Sequence, residues 1–227
     1  MSLTRTAATI AESKLIVVLR HIPLEALEGV AAALRGSGVR VLEVALNTPG
    51  ALQQLELLRR CDFCLGAGTA LREQAAREAI DAGAEFLFSP IRSDFFLPLC
   101  RELGVLGIPG GLTPTEIYTL HAEGAEFIKV FPGSLGPEFI REILAPCEEL
   151  KLVPAGGVDL LNLESYLGAG VAAVAVGTEI VSPRLAAERD FKAIARQAAQ
   201  FAEKIKSFCE SCARADAREK KSGSPGC

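Results

Sequence analysis

The 227-residue chain reads as an α/β protein, a (β/α)8 TIM barrel with an extra N-terminal helix. Three observations predict it. Eight short apolar runs recur, at 15–20, 39–46, 63–69, 85–90, 105–109, 127–132, 152–156 and 171–177. Their Val/Ile/Leu content is continuous, which suits parallel strands covered on both faces. Between them lie amphipathic stretches such as 26–34, 71–82 and 139–144, with apolar residues three and four apart. Lastly, Gly38, Gly83, Gly104, Gly124 and Gly170 each stand just before a run, where a helix C-cap requires glycine.

Gly-Ala-Glu-Phe occurs twice, at 83–86 and 124–127, each time where a helix enters a strand. Such self-similarity marks repeated βα units. Eight of them close most naturally into a barrel, which holds roughly 200–250 residues as one domain. An open doubly wound sheet is the alternative. The opening segment, 4–13, has the pattern of a helix over the barrel floor. One domain is expected across 1–213. From 214 to 227 the chain turns charged and then Ser/Gly/Pro-rich, and a disordered tail is expected.

Apolar residues make up 49% and charged residues 23%, ample for a core. A net charge of −4 without a basic run argues against a nucleic-acid partner. No apolar stretch reaches the about 18 residues of a membrane helix. Met1-Ser2-Leu3-Thr4-Arg5 lacks the layout of a signal peptide, so a cytoplasmic location is expected. The seven cysteines include two Cys-x-x-Cys pairs, Cys61/Cys64 and Cys209/Cys212. The pairs lie far apart, Cys64 falls within a strand, and the count is odd. Reduced structural thiols are expected rather than zinc or disulfides, with Cys227 exposed in the tail.

A barrel carries its active site at the C-terminal ends of its strands. There the chain presents Arg20-His21, Asn47-Thr48-Pro49, Thr69, Ser89-Pro90, Pro132-Gly133-Ser134, Gly156-Gly157 and Gly177-Thr178. Two charges interrupt otherwise apolar strands, Glu43 on the second and Lys129 on the sixth. Each is costly alone in an interior, and across a lumen they could satisfy one another. Without chemistry they form a core ion pair, a weak stabiliser. With chemistry, Lys129 is a desolvated amine nucleophile and Glu43 the carboxylate that moves protons.

Gly156, Gly157, Gly177 and Thr178 put backbone N–H groups and a hydroxyl where barrels commonly bind phosphate, with a following helix N-terminus to favour the anion. The substrate expected is a small phosphorylated molecule with a carbonyl group. His21 is read as a loop residue within reach of substrate, and His121 as a surface residue. Ser134 either lines the pocket or caps the next helix. Glu56, Arg59 and Arg60 read as a solvated helix face.

The strings LEVALNTPGA (42–51), GAGTAL (66–71), GIPGGLTPTE (107–116), FIKVFPGSLGPEFI (127–140) and VPAGGV (153–158) resemble the 2-keto-3-deoxy-6-phosphogluconate aldolase family. That family also holds 4-hydroxy-2-oxoglutarate and 2-keto-3-deoxy-6-phosphogalactonate aldolases. The resemblance runs in order from about residue 15 to 181. It implies a class I aldolase, a homotrimer with a Schiff-base lysine and neither metal nor organic cofactor. Pyruvate and a phosphorylated keto acid are the implied small-molecule partners. By position, Lys129 resembles the imine-forming lysine and Glu43 the general acid/base. Thr69 and Pro90 fall at the pyruvate pocket, Gly156, Gly157, Gly177 and Thr178 at its phosphate end, and Arg20 where an arginine binds a substrate anion.

The chain departs from the pattern in two places. Gluconate-type members carry Arg after the second strand, whereas Leu46-Asn47-Thr48 has Asn, as galactonate-type enzymes do, and Asn47 is read as a substrate-binding residue in that place. The family's Ser-Pro-Gly after the fourth strand reads Ser89-Pro90-Ile91. Cleavage of 2-keto-3-deoxy-6-phosphogluconate is expected, with 4-hydroxy-2-oxoglutarate as a second substrate. The galactonate epimer, another phosphate-binding barrel enzyme, and a non-catalytic sugar-phosphate binder are the alternatives.

Overall fold

In the computed structural model, residues 3–222 are described, with side chains described through residue 215. Strands β1 (Leu15–Leu19), β2 (Val41–Ala45), β3 (Cys64–Gly68), β4 (Phe86–Phe88) and β5 (Leu106–Ile108) alternate with helices. These are α2 (Leu27–Gly36), α3 (Ala51–Leu58), α4 (Glu73–Asp81) and α5 (Phe96–Leu103). Helix α1 (Leu3–Ser13) precedes β1. Then come β6 (Gly110–Gly111), α6 (Pro114–Ala122), β7 (Ile128–Val130), α7 (Gly136–Leu144), β8 (Leu152–Pro154), α8 (Leu163–Gly168), β9 (Val174–Val176), α9 (Pro183–Ala187) and α10 (Phe191–Ser222). No helix among the described residues is long and apolar enough to cross a membrane.

All strand pairs are parallel and the sheet is curled. One sheet runs β5-β4-β3-β2-β1-β9 and the other β6-β7-β8. A parallel bridge between Ala155 and Ala175 ties the end of β8 to β9. The fifth expected run, 105–109, thus holds β5, and a further short strand, β6, follows just beyond its end. Pro109 divides them because it has no N–H to donate. Ser89 N–H donates to Ile108 on one side of the break, and Lys129 N–H donates to the Pro109 carbonyl on the other.

Buried strands alternate between two apolar layers, as period-two side chains must. Leu15, Val17 and Leu19 join the outer core under the helices, whereas Ile16 joins an inner cluster. Phe86, Phe88, Val41, Phe127 and Val153 are inner as well, and Ala7 and Ile10 of α1 complete that cluster. In the same alternation Leu42 and Val44 are outer, as are Ile128 and Val130. Glu43 and Lys129 therefore face inward. Phe86 is fully buried within this layer, and truncating such a side chain costs about 3–5 kcal/mol.

The glycines expected to end helices do so: Gly38, Gly83, Gly104, Gly124 and Gly170 all have positive φ. Helix α10 continues past residue 213 to Ser222, into the segment expected to be disordered. Ala, Arg, Glu and Lys are strong helix formers, and that segment is built from them. Residues 223–227, Cys227 among them, lie outside the described residues. Cys61, Cys64, Cys100, Cys147, Cys209 and Cys212 are free thiols.

Candidate active site

Lys129, the middle residue of β7, is 3% exposed, and Glu43, the middle residue of β2, is fully buried. The Lys129 Nζ stands 4.1 Å from the centre of the Phe88 ring and 5.1 Å from that of Phe131. The expected mutual satisfaction of the two charges is not what the structure holds. Neither Glu43 oxygen has a hydrogen-bond partner. Aromatic faces take the place of the carboxylate as neighbours of the amine.

Burial pushes the Lys129 amine below its ordinary value and the Glu43 carboxyl above its own. Each acts on the other against that trend, and the Arg20 guanidinium further lowers both. An amine with no hydrogen-bonded anion in a dry interior sheds its proton readily. Gly68 makes the place for Glu43: a Cβ at residue 68 would sit 1.5 Å from Glu43 Oε1. Any larger residue at 68 forces the carboxyl elsewhere.

A cavity of about 280 Å3 opens above the lysine, lined by Val18, Arg20, Lys129, Phe131, Ala155, Gly156, Ala175, Gly177, Thr178 and Val181. Five residues singled out from sequence thus meet here: Arg20, Lys129, Gly156, Gly177 and Thr178. Asn47 and Thr69 join through Arg20, whose Nη1 donates to Asn47 Oδ1 (3.0 Å) and Nη2 to Thr69 Oγ1 (3.3 Å). Glu43 is fully buried and does not line the cavity. Pro90 and Gly157 do not line the cavity. The Pro90 backbone packs where a Cβ on Gly110 would stand, and Gly157 packs against Ser134. A larger groove, about 650 Å3, runs between Glu12, Arg40 and α10. It holds neither Lys129 nor Glu43, so chemistry rather than size marks the site.

Gly156 and Gly157 have φ of +82° and +76°, a left-handed pair that only glycine adopts without strain. The helices expected directly behind the two glycine turns stand further off, since α8 starts at Leu163 and α9 at Pro183. Backbone turns, not helix ends, face the cavity. After β9 the turn is tight, with the N–H groups of Ile180 and Val181 both donating to the Gly177 carbonyl. Ser134 does not line this cavity and makes no side-chain cap for α7, so neither reading of it holds. His21 is exposed beside the site, and its N–H donates to Thr48 Oγ1 at 2.9 Å. His121 is half-buried near the Tyr118 ring.

Sequence reasoning passed over Phe131, which walls the cavity and lies over the lysine although 43% exposed. Its place two residues after Lys129, on the same strand face, was the available signal. It also passed over Tyr166 of α8, whose buried hydroxyl donates to the Gly133 carbonyl at 2.5 Å and pins the loop after the lysine. No spacing rule points across 33 residues to that contact.

The family model for KDPG and KHG aldolase matches residues 6–197. A probable 2-dehydro-3-deoxy-6-phosphogalactonate aldolase of Rhizobium meliloti is 32% identical over 181 residues, spanning 78% of this chain and 85% of that protein. The 2-dehydro-3-deoxy-phosphogluconate aldolase of Treponema pallidum is 32% identical over 186 residues, 78% and 89% of the two chains. Among solved structures, a KDPG aldolase from Legionella pneumophila superposes with a TM-score of 0.80 at 30% identity, covering 86% of this chain and 96% of its own. That crystal holds pyruvate captured at low pH as a covalent carbinolamine intermediate. With the match spanning most of the chain, the protein belongs to the KDPG and KHG aldolase family of carbon–carbon lyases.

Proposed function

We propose that this chain is a class I aldolase that cleaves 2-keto-3-deoxy-6-phosphogluconate to pyruvate and glyceraldehyde 3-phosphate, and 4-hydroxy-2-oxoglutarate to pyruvate and glyoxylate. The observation that carries the reading is the buried Lys129 amine, without a carboxylate bonded to it, at the floor of a cavity open to substrate. Neutral Lys129 attacks the C2 ketone to form a carbinolamine. Loss of water gives the iminium. Glu43, as a carboxylate, removes the C4 hydroxyl proton, directly or through a water, and the C3–C4 bond breaks. Its electron pair passes to the iminium, leaving an enamine and releasing the aldehyde. Protonation at C3 and addition of water then free pyruvate and regenerate the amine. The iminium is itself the electron sink, so the cycle calls for neither metal nor organic cofactor.

Gly156, Gly157, Gly177 and Thr178 are assigned to the phosphate, with Thr69, Pro90, Arg20 and Asn47 toward the pyruvate end. A second reading, cleavage of the galactonate-derived phosphate, is favoured by Asn47, which leaves Arg20 as the guanidinium on the cavity wall. The proposal extends to one domain over 1–213, closed as a full eight-stranded barrel through the Ala155–Ala175 bridge, with α1 beneath it. It extends also to a cytoplasmic homotrimer acting on small molecules, not on membranes or nucleic acids, on the strength of the family resemblance. Borohydride reduction with pyruvate tests the chemistry: mass is added at Lys129 alone. Modification elsewhere, or activity retained in Lys129→Ala, refutes it. Rates on the two epimeric phosphates and on 4-hydroxy-2-oxoglutarate, measured side by side, decide the substrate.

A further inference from the structure

We infer that Asn47 is a positioning residue: with Thr69 it holds the Arg20 guanidinium toward the cavity, and it does not itself meet the substrate. The inference rests on the aldolase reading above and assigns the pyruvate carboxylate to Arg20. Arg20 follows β1, Asn47 follows β2 and Thr69 follows β3, so neighbouring strand ends supply the three groups. Two rungs join the first two ends, Arg20 to Asn47 at 3.0 Å and the His21 N–H to Thr48 Oγ1 at 2.9 Å. Arg20 lines the cavity, whereas Asn47 and Thr69 do not.

Backbone geometry points the same way. Thr69 has a φ of +60° and His21 of +54°. A β-branched residue in the left-handed region is a true outlier. Such strain persists only where the surroundings over-determine it. Here it aims the Thr69 hydroxyl at Nη2 of Arg20.

The chemistry of residue 47 matters as much as its place. An amide oxygen accepts from a guanidinium without cancelling its charge. Aspartate there neutralises Arg20 in a bidentate pair, and arginine repels it. Asparagine holds the cation and leaves its field intact. The charged groups acting on Lys129 are Glu43 from β2 and Arg20 from the end of β1. Arg20 favours the neutral amine and, at Glu43, the charged carboxylate, the two protonation states that the cleavage begins from.

Pyruvate trapping with borohydride across pH, together with half-saturating pyruvate, tests the inference. Asn47 is exposed, so its variants keep the fold. Asn47→Ala is expected to raise half-saturating pyruvate roughly tenfold, the loss of one hydrogen bond to a charged group. Asn47→Asp is expected to move the trapping profile up by about half a pH unit, because a neutralised Arg20 no longer disfavours the ammonium. Thr69→Ser retains the acceptor and stays near the wild type, while Thr69→Ala follows Asn47→Ala. If both Asn47 variants trap pyruvate with the wild-type profile and half-saturation, the inference is overturned and the aldolase reading survives. If the wild type itself traps no pyruvate, both fall together.

Discussion

Among the described residues two lysines lie over phenyl rings, and only one is placed to react. Lys129 stands 4.1 Å from the Phe88 centroid, and Lys151 stands 5.3 Å from that of Phe127. The ring contact is alike. The surroundings differ. Lys151 has a side chain 50% exposed and an ion pair with Glu126 at 2.9 Å. Lys129 is 3% exposed, and the nearby acid, Glu43, makes no hydrogen bond to it. An aromatic face steadies an ammonium modestly wherever it lies. What makes an amine a nucleophile is removal of water without a bonded anion in its place.

The sharpest break of that comparison is to delete each amine. Lys129→Met is expected to lower kcat by at least roughly 10,000-fold, since the covalent route vanishes and acid–base groups cannot replace it. Lys151→Met is expected to leave turnover at the wild-type rate. A coupled assay of pyruvate release measures both, and equal effects would erase the distinction. Glu43→Gln comes next, with a loss of about 100- to 10,000-fold in kcat, the usual scale of one positioned acid–base group. Pyruvate trapping at Lys129 is expected to survive in that variant, because imine formation precedes the proton removal assigned to Glu43.

Much of this contrast is legible without coordinates. A lysine and a glutamate in continuous apolar runs stand out, and the period-two face of each strand puts both on the inside. The glycine turns after β8 and β9 are equally plain. Other parts depend on reach. Sequence gives the face of Lys129 but not the length at which its tail meets Phe88. It suggests an ion pair, whereas the folded geometry provides rings. Gly68 reads as one more residue of the third apolar run until Glu43 is seen to fill its Cβ position. Pro109 looks like a strand end, and only pairing shows the strand changing partners there. Asn47 reads as a substrate contact because residue type says nothing of a neighbour arriving from β1.

Gly68→Ala sharpens the comparison from the acid's side. The added methyl would overlap Glu43 Oε1, so the carboxyl must swing away. A fall in kcat of about tenfold to a hundredfold is expected, with about 1–3 kcal/mol of stability lost to overpacking. Chemical denaturation and steady-state rates measure the two effects separately. Unchanged values for both would mean that Glu43 does not need that place.

The smallest effect expected concerns stability against pH. Lys129 is depressed in the folded protein below its ordinary value of 10.5, so the unfolded chain binds the proton more tightly in the window between. Stability contributed at this residue therefore rises as pH climbs through that window, and is complete above 10.5. Lys129→Met removes the proton from both states. Its melting temperature should exceed that of the wild type at neutral pH, by a margin that narrows toward alkaline pH. Lys151→Met lacks the buried amine's penalty and forfeits only a surface ion pair, worth about 0–1 kcal/mol and weaker in salt. Its difference from the wild type should be small and salt-dependent. A margin for Lys129→Met that widens toward alkaline pH would mean that the folded site holds the ammonium, and the amine would then have no claim to being the nucleophile at rest.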